Sequence, residues 1–190
     1  SDTHGFEFGV VRGDSPVLFY DPMQRVVATQ RPNRSWDKVV LDPWQQATWD
    51  NNDTVLLDPR SDADVQRFFR ALPEPDYIPT WYGERSSLPA ADSERQAADK
   101  TKAHAHTPTV VHFDRLGRAI VSIADNGEAG KYASRVESDI EGNQRTLSDA
   151  KNRVVMRYDY DMLGNRIHQA SMEAGERWVL NDVSGKLIPA

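Results

Sequence analysis

One short frame recurs along the chain and limits what it can fold into. It consists of Asp, two free positions, then Gly, Asn or Gln, then Arg, Asn, Gln or Lys. It occurs seven times: Asp21-Pro-Met-Gln24-Arg, Asp42-Pro-Trp-Gln45-Gln, Asp114-Arg-Leu-Gly117-Arg, Asp139-Ile-Glu-Gly142-Asn, Asp149-Ala-Lys-Asn152-Arg, Asp161-Met-Leu-Gly164-Asn and Asp182-Val-Ser-Gly185-Lys. Aspartate accepts backbone N–H groups two or more residues on, closing an Asx-turn. A Gly or Asn three positions later tolerates the left-handed backbone of a type I turn followed by a bulge. Strand-forming runs flank the frames, "VLFY", "TVVHF" and "VVMRY" before, "RVVAT" and "RAIVSI" after. Each frame therefore predicts strand, tight turn, strand. The spacings are 21 residues from Asp21 to Asp42, 25 from Asp114 to Asp139, 10 to Asp149, 12 to Asp161 and 21 to Asp182. A unit of about 20 residues, sometimes halved, matches two strands with their turns.

Composition narrows the function classes. A net charge of −6, with basic residues scattered, argues against a nucleic-acid binder. No apolar run approaches the ~20 residues of a membrane span, and the N-terminal stretch has no signal-peptide pattern. The absence of cysteine removes disulfides, thiolate nucleophiles and thiolate metal sites. The last residues, "VSGKLIPA", suggest a piece of something longer.

The spacing of 72 from Asp42 to Asp114 breaks the period. A last hairpin is expected at "QATWDNNDTVLL", turning at Asn51-Asn52-Asp53. Ser61 then caps an expected helix whose stripe is Val65, Phe68, Phe69 and Leu72, ended by Pro73. The proline-rich "PEPDYIPTWYGERSSL" reads as a connection, and Pro89 starts a second, alanine-rich helix stopped by Pro108. The organisation is thus 1–58 hairpins, 59–108 a helical, Pro-rich insertion, and 109–190 hairpins, as one continuous structural unit.

At this point the chain resembles a known family. "FYDPMQRVV", "HFDRLGRAIVSI" and "YDYDMLGNRI" are similar to the YD repeats of Rhs proteins. "DPWQQATWDNNDTVLLDPR", "PTWYGER" and "HTPTVVHFDRLGR" resemble, more closely, the YD-repeat section of B/C components of bacterial Tc insecticidal toxin complexes. The resemblance runs from about Tyr20 to Leu187. It implies a mainly β fold of antiparallel hairpins, forming a segment of a spiralling shell with a helical insertion. It implies a non-enzymatic, structural role: enclosing a toxic polypeptide within a secreted complex, without cofactors. The implied partners are other YD-repeat segments, toxin-complex subunits and the enclosed polypeptide. A self-cleaving core motif is not found here, so that activity is not carried over.

Other features admit chemistry. Asp159 and Asp161 share a strand face, as a hydrolytic or metal-binding pair would, but Asp161 holds the repeated turn position. His104, His106 and His112 offer a zinc spacing, yet the first two fall at a helix end where i, i+2 side chains diverge. Arg12-Gly13-Asp14-Ser15 spells an adhesion tripeptide and equally a turn before a strand. Trp36, Trp44, Trp49, Trp81, Trp178 and Tyr82 fit a core or cross-strand stacks, or a glycan platform. The alternative function is accordingly an extracellular glycan- or protein-binding module built on the insertion and its aromatics. Neither a nucleophile elbow nor a phosphate loop is present, and Asp125-Asn126-Gly127 opens an ordinary loop.

Overall fold

The computed structural model describes residues 15–180 together with Asp182 and Lys186. Arg12, Gly13, Asp14 and Gly185 lie outside the described residues. The fold is mainly β, with eleven strands among the described residues. The chain divides into two compact units: residues 1–40 with 49–106, and residues 41–48 with 107–190. Most of the stretch read as an insertion, residues 59–106, lies in the first.

In the first unit, β1 (Val17–Tyr20), β2 (Val26–Gln30) and β3 (Trp36–Leu41, its last residue in the second unit) run antiparallel in chain order. Register places Phe19 opposite Ala28 and Ala28 opposite Lys38, with Gln30 opposite Trp36. Alternate residues share a sheet face, and all five of these are buried. The helical segment covers that face. Phe69, fully buried, sits 5.2 Å from the rings of Phe19 and Tyr77 and 5.5 Å from Trp36. Phe68 stacks on Phe19 at 5.5 Å, and Leu72 packs at the rim.

The helices differ from the sequence reading. α1 spans only Gln66–Phe69, and Ser61 does not cap it; its hydroxyl donates to the Asp58 carbonyl. Asp58 and Asp62 accept the amides of Arg60 and Asp64 at 2.9 and 3.0 Å, so two Asx-turns replace the expected first turns of helix. The apolar stripe still faces the core. The Pro-rich connection contains an unforeseen helix, α2 (Trp81–Ser86), capped by the Thr80 hydroxyl, which accepts from Gly83 N–H at 3.1 Å. The next helix, α3 (Ser93–Thr101), starts at an Asp92 cap rather than at Pro89. The hairpin expected at "QATWDNNDTVLL" does not form. Asp50 takes the amides of Asn52 and Asp53 at 2.7 and 2.9 Å, and the buried Thr54 hydroxyl donates to the Trp36 carbonyl. These bonds coil the chain after Trp49 instead of extending it.

The second unit is an antiparallel meander in chain order: β4 (Gln45–Trp49, its last residue in the first unit), β5 (Thr109–Phe113), β6 (Ala119–Asp125), β7 (Lys131–Ser138), β8 (Gln144–Ser148), β9 (Val154–Tyr160), β10 (Arg166–Ser171) and β11 (Gly175–Trp178). It is one layer thick. Among its described residues only His168 is buried; every other side chain is half-buried or exposed. No helix among the described residues is long and apolar enough to cross a membrane.

Candidate functional site: a ladder of aspartate turns and a clamped histidine

The frames share one geometry. At Asp161, Oδ1 accepts the amides of Leu163 and Asn165, both at 2.8 Å, and Oδ2 accepts Asn165 Nδ2 at 2.9 Å. The Asp161 N–H donates to the Asn165 carbonyl at 2.9 Å, and the Gly164 N–H to the Asp161 carbonyl at 3.1 Å. Asp21, Asp114, Asp139 and Asp149 repeat the four bonds made by backbone amides with their own neighbours. The fourth residue is left-handed each time: Gln24 at φ 61°, Gly117 at 75°, Gly142 at 97°, Asn152 at 58° and Gly164 at 80°. A register shift beside each of the five marks the bulge. At Asp182 the two bonds to Lys186 are present, at 2.8 and 2.9 Å.

The fifth position of the frame acquires a role. Arg25, Arg118 and Arg153 each donate Nε to Oδ2 of their aspartate at 2.7–2.8 Å, where Asn143 and Asn165 use Nδ2. Arginine and asparagine alternate there because both reach the second carboxylate oxygen. These bonds hold the carboxyls below their ordinary range. The backbone amide of Arg25 dominates at Asp21 and that of Arg118 at Asp114; the side chain of Asn165 does so at Asp161.

Asp42 departs from the pattern. Its Oδ1 accepts Trp44 N–H at 3.0 Å, but its N–H donates to Gln45, one residue earlier than elsewhere. Pro43 and Trp44 already close the turn, so Gln45 enters β4 opposite His112 instead of turning left-handed. Conversely, a turn of the same geometry forms without a frame aspartate. Between β2 and β3, Arg31 N–H donates to Ser35 and Arg34 N–H to Arg31, with Arg34 at φ 63°. Asn33 Oδ1 takes the place of the carboxylate, accepting from Ser35 N–H and Oγ. The only sequence signal there is Pro32-Asn33.

Asp159, outside the frame, does form a polar cluster. Its Oδ2 lies 2.8 Å from His168 Nδ1 and its Oδ1 2.9 Å from an Arg145 guanidinium nitrogen. Register sets Asp159 opposite His168 and His168 opposite Trp178, whose ring stacks on the imidazole at 4.2 Å. The His168 hydrogen bond, followed by the Arg145 charge, holds the Asp159 carboxyl below its usual range despite partial burial. His168 Nε2 is buried without a hydrogen bond, 3.8 Å from the Glu176 carboxylate. An aspartate that fixes Nδ1 orients the imidazole. Here the oriented ring ties β8, β9, β10 and β11 together. Asp161 bonds within its own turn and Asp159 to His168 and Arg145, so the two aspartates have separate partners. His168 escaped the sequence reading because a lone His in "RIHQAS" carries no spacing signal.

The remaining candidates are not brought together. His106 donates its N–H to Asp53 and meets Trp49 edge-on at 6.2 Å, His104 ends a 3₁₀ turn, and His112 sits on β5. Among the described residues no group of three or more His, Asp or Glu is placed to hold a metal ion. Trp36 is core, Trp81 carries the Arg85 guanidinium at 4.7 Å, and Tyr82 faces the Lys102 ammonium at 5.4 Å. The pocket that all three border measures about 10 Å³, room for one water; Tyr82 alone also borders an open cleft of about 300 Å³, which no tryptophan lines. Trp44 and Trp178 lie in the other unit.

Asp161→Ala with Gly164→Val tests the turn geometry. The first removes three acceptor contacts; the second forces a β-branched residue to φ 80°, a strain of about 1–3 kcal/mol. The thermal midpoint should fall by several degrees relative to Lys151→Ala, at a free turn position. An unchanged midpoint refutes the turn account.

No family model matches the chain, and no curated protein matches it. Solved structures do. The complex titled TcdB2-TccC3-Cdc42 matches at 19% identity and TM-score 0.65 over 91% of this chain. TcdB2-TccC3 matches at 20% and 0.62, and the Photorhabdus luminescens Tc holotoxin pore carrying TccC3-D651A at 20% and 0.64, again over 91%. The chain spans about 7% of the length of those chains. At this identity the match speaks for the backbone, and the chain therefore shares the fold of one stretch of the Tc toxin chains.

Proposed function

We propose that the chain is a non-enzymatic wall segment of a YD-repeat shell that encloses a toxic polypeptide within a secreted bacterial toxin complex. The observation that carries this reading is the single layer of the C-terminal unit, whose described residues include only one buried side chain. A sheet of that kind cannot be stabilised by a core of its own; its strands hold one another through the ladder and through turns fixed by Asp side chains. Such a sheet partitions space and leaves both faces available, one to solvent and one to contents. Its match to about 7% of much longer Tc toxin chains supports a segment role.

The test uses the full-length chain that carries this segment. Limited proteolysis of the wild-type protein should spare the enclosed polypeptide, and Asp161→Ala with Gly164→Val should expose it to cleavage. A polypeptide cleaved as readily in the wild type as in the variant overturns the containment role; one equally protected in both overturns the part assigned to this turn.

A further inference from the structure

In an antiparallel meander, alternate turns lie at the same end of the sheet. In the C-terminal unit the turns at Asp42, Asp114, Asp139 and Asp161 share one end, and those at Asn126, Asp149 and Met172 share the other. The free positions differ sharply between the ends. On the first they carry Trp44, Leu116, Ile140, Met162 and Leu163, exposed by 60, 67, 97, 98 and 87%. On the second they carry Glu128, Lys151 and Glu173, with Met172 the one large apolar side chain. The turn bonds use no side-chain atom at these apolar positions, so local geometry does not explain the asymmetry.

The row is also regular and braced. Tips two strands apart repeat at about 9.5 Å. Arg118 of one turn donates to the Asp139 carbonyl of the next at 3.3 Å. The five side chains present on the order of 800 Å², above the largest patch of an ordinary monomer and equal to one side of a standard interface.

We propose that this end docks a second copy of the same chain, tips against tips about a two-fold axis. A partner engaging every tip must repeat at the same period, which another row of these hairpins does. Charge fits as well. With the axis between the Asp114 and Asp139 turns, exposed Arg115 faces exposed Glu141 of the second copy, and Trp44 faces the Met162-Leu163 turn. The inference stands on the tips alone and does not depend on the shell reading.

Sedimentation velocity tests it. At about 100 µM, above the micromolar range expected of such an interface, the wild-type chain should sediment as a dimer. Ile140→Glu with Leu163→Glu should weaken association at least tenfold, with far-UV circular dichroism unchanged; Met172→Glu, at the other end, should have no effect. Arg115→Glu should weaken association, and adding Glu141→Arg should restore it. A monomeric wild type overturns the proposal. So does undiminished association of the double tip variant, which assigns self-association to open strand edges, or a failed charge rescue.

Discussion

Phe69→Ala is expected to lower the unfolding free energy of the N-terminal unit by about 3–5 kcal/mol. Phe69 has no exposed surface, and it is the ring that the other aromatics share, contacting Phe19 and Trp36 from two strands and Tyr77 from the Pro-rich connection. The strands supply only a flat apolar face, and the four-residue α1 cannot stabilise itself. Removing the ring therefore leaves a cavity between sheet and helix that neither side can collapse to fill. Measured against a typical stability of about 5–15 kcal/mol, the loss brings the unit close to unfolding at ambient temperature. Urea titration followed by tryptophan fluorescence reads the effect, since one of the indoles, Trp36, lies 5.5 Å from the deleted ring. Phe68→Ala, at the partly exposed rim, should cost clearly less. A loss below about 1 kcal/mol for Phe69→Ala would mean that the helical segment does not depend on this core.

The parts of this fold legible in the sequence are those governed by period. Val65, Phe68, Phe69 and Leu72 follow the helical stripe and pack at or against the core, although only Gln66–Phe69 is helical. The stripe reports which face is buried. It does not report how many residues complete a helical ladder, because Asp58 and Asp62 compete locally for the same amides. The same competition at Asp50 turned an expected strand into a coil. Short polar side chains decide such cases by bonds that residue spacing does not encode.

The spacing of about 20 residues between frames acquires a physical meaning from the meander. It is one strand out and one strand back, returning the chain to the same end of the sheet. The short intervals around Asp149 arise because that turn sits at the opposite end. The frame specified the turn but left its two free positions undefined, and those positions hold the apolar tips. The Asp159–His168 clamp was equally hidden, since its members meet only through the register of β9 with β10.

The second large effect is expected at Lys38. Its side chain is 5% exposed and its ammonium lies 2.7 Å from both Asp62 and Asp64, with the Trp49 ring at 4.9 Å. Asp62 is itself 8% exposed, whereas Asp64 is 46% exposed. The pair to Asp62 thus joins β3 to the turn that opens α1, on the sheet face that carries the core. Lys38→Ala strands the Asp62 carboxylate in that setting, a loss of about 3–5 kcal/mol. Asp64→Ala removes a half-exposed partner and should cost at most about 1 kcal/mol. The decisive comparison is Lys38→Met with Asp62→Asn, which deletes both buried charges while keeping the volume. If the cost of Lys38→Ala comes from the stranded charge, the double variant recovers most of it in urea unfolding. If the double variant is as unstable as Lys38→Ala, the lysine acts through its packing on Trp49 instead, and the charge account fails.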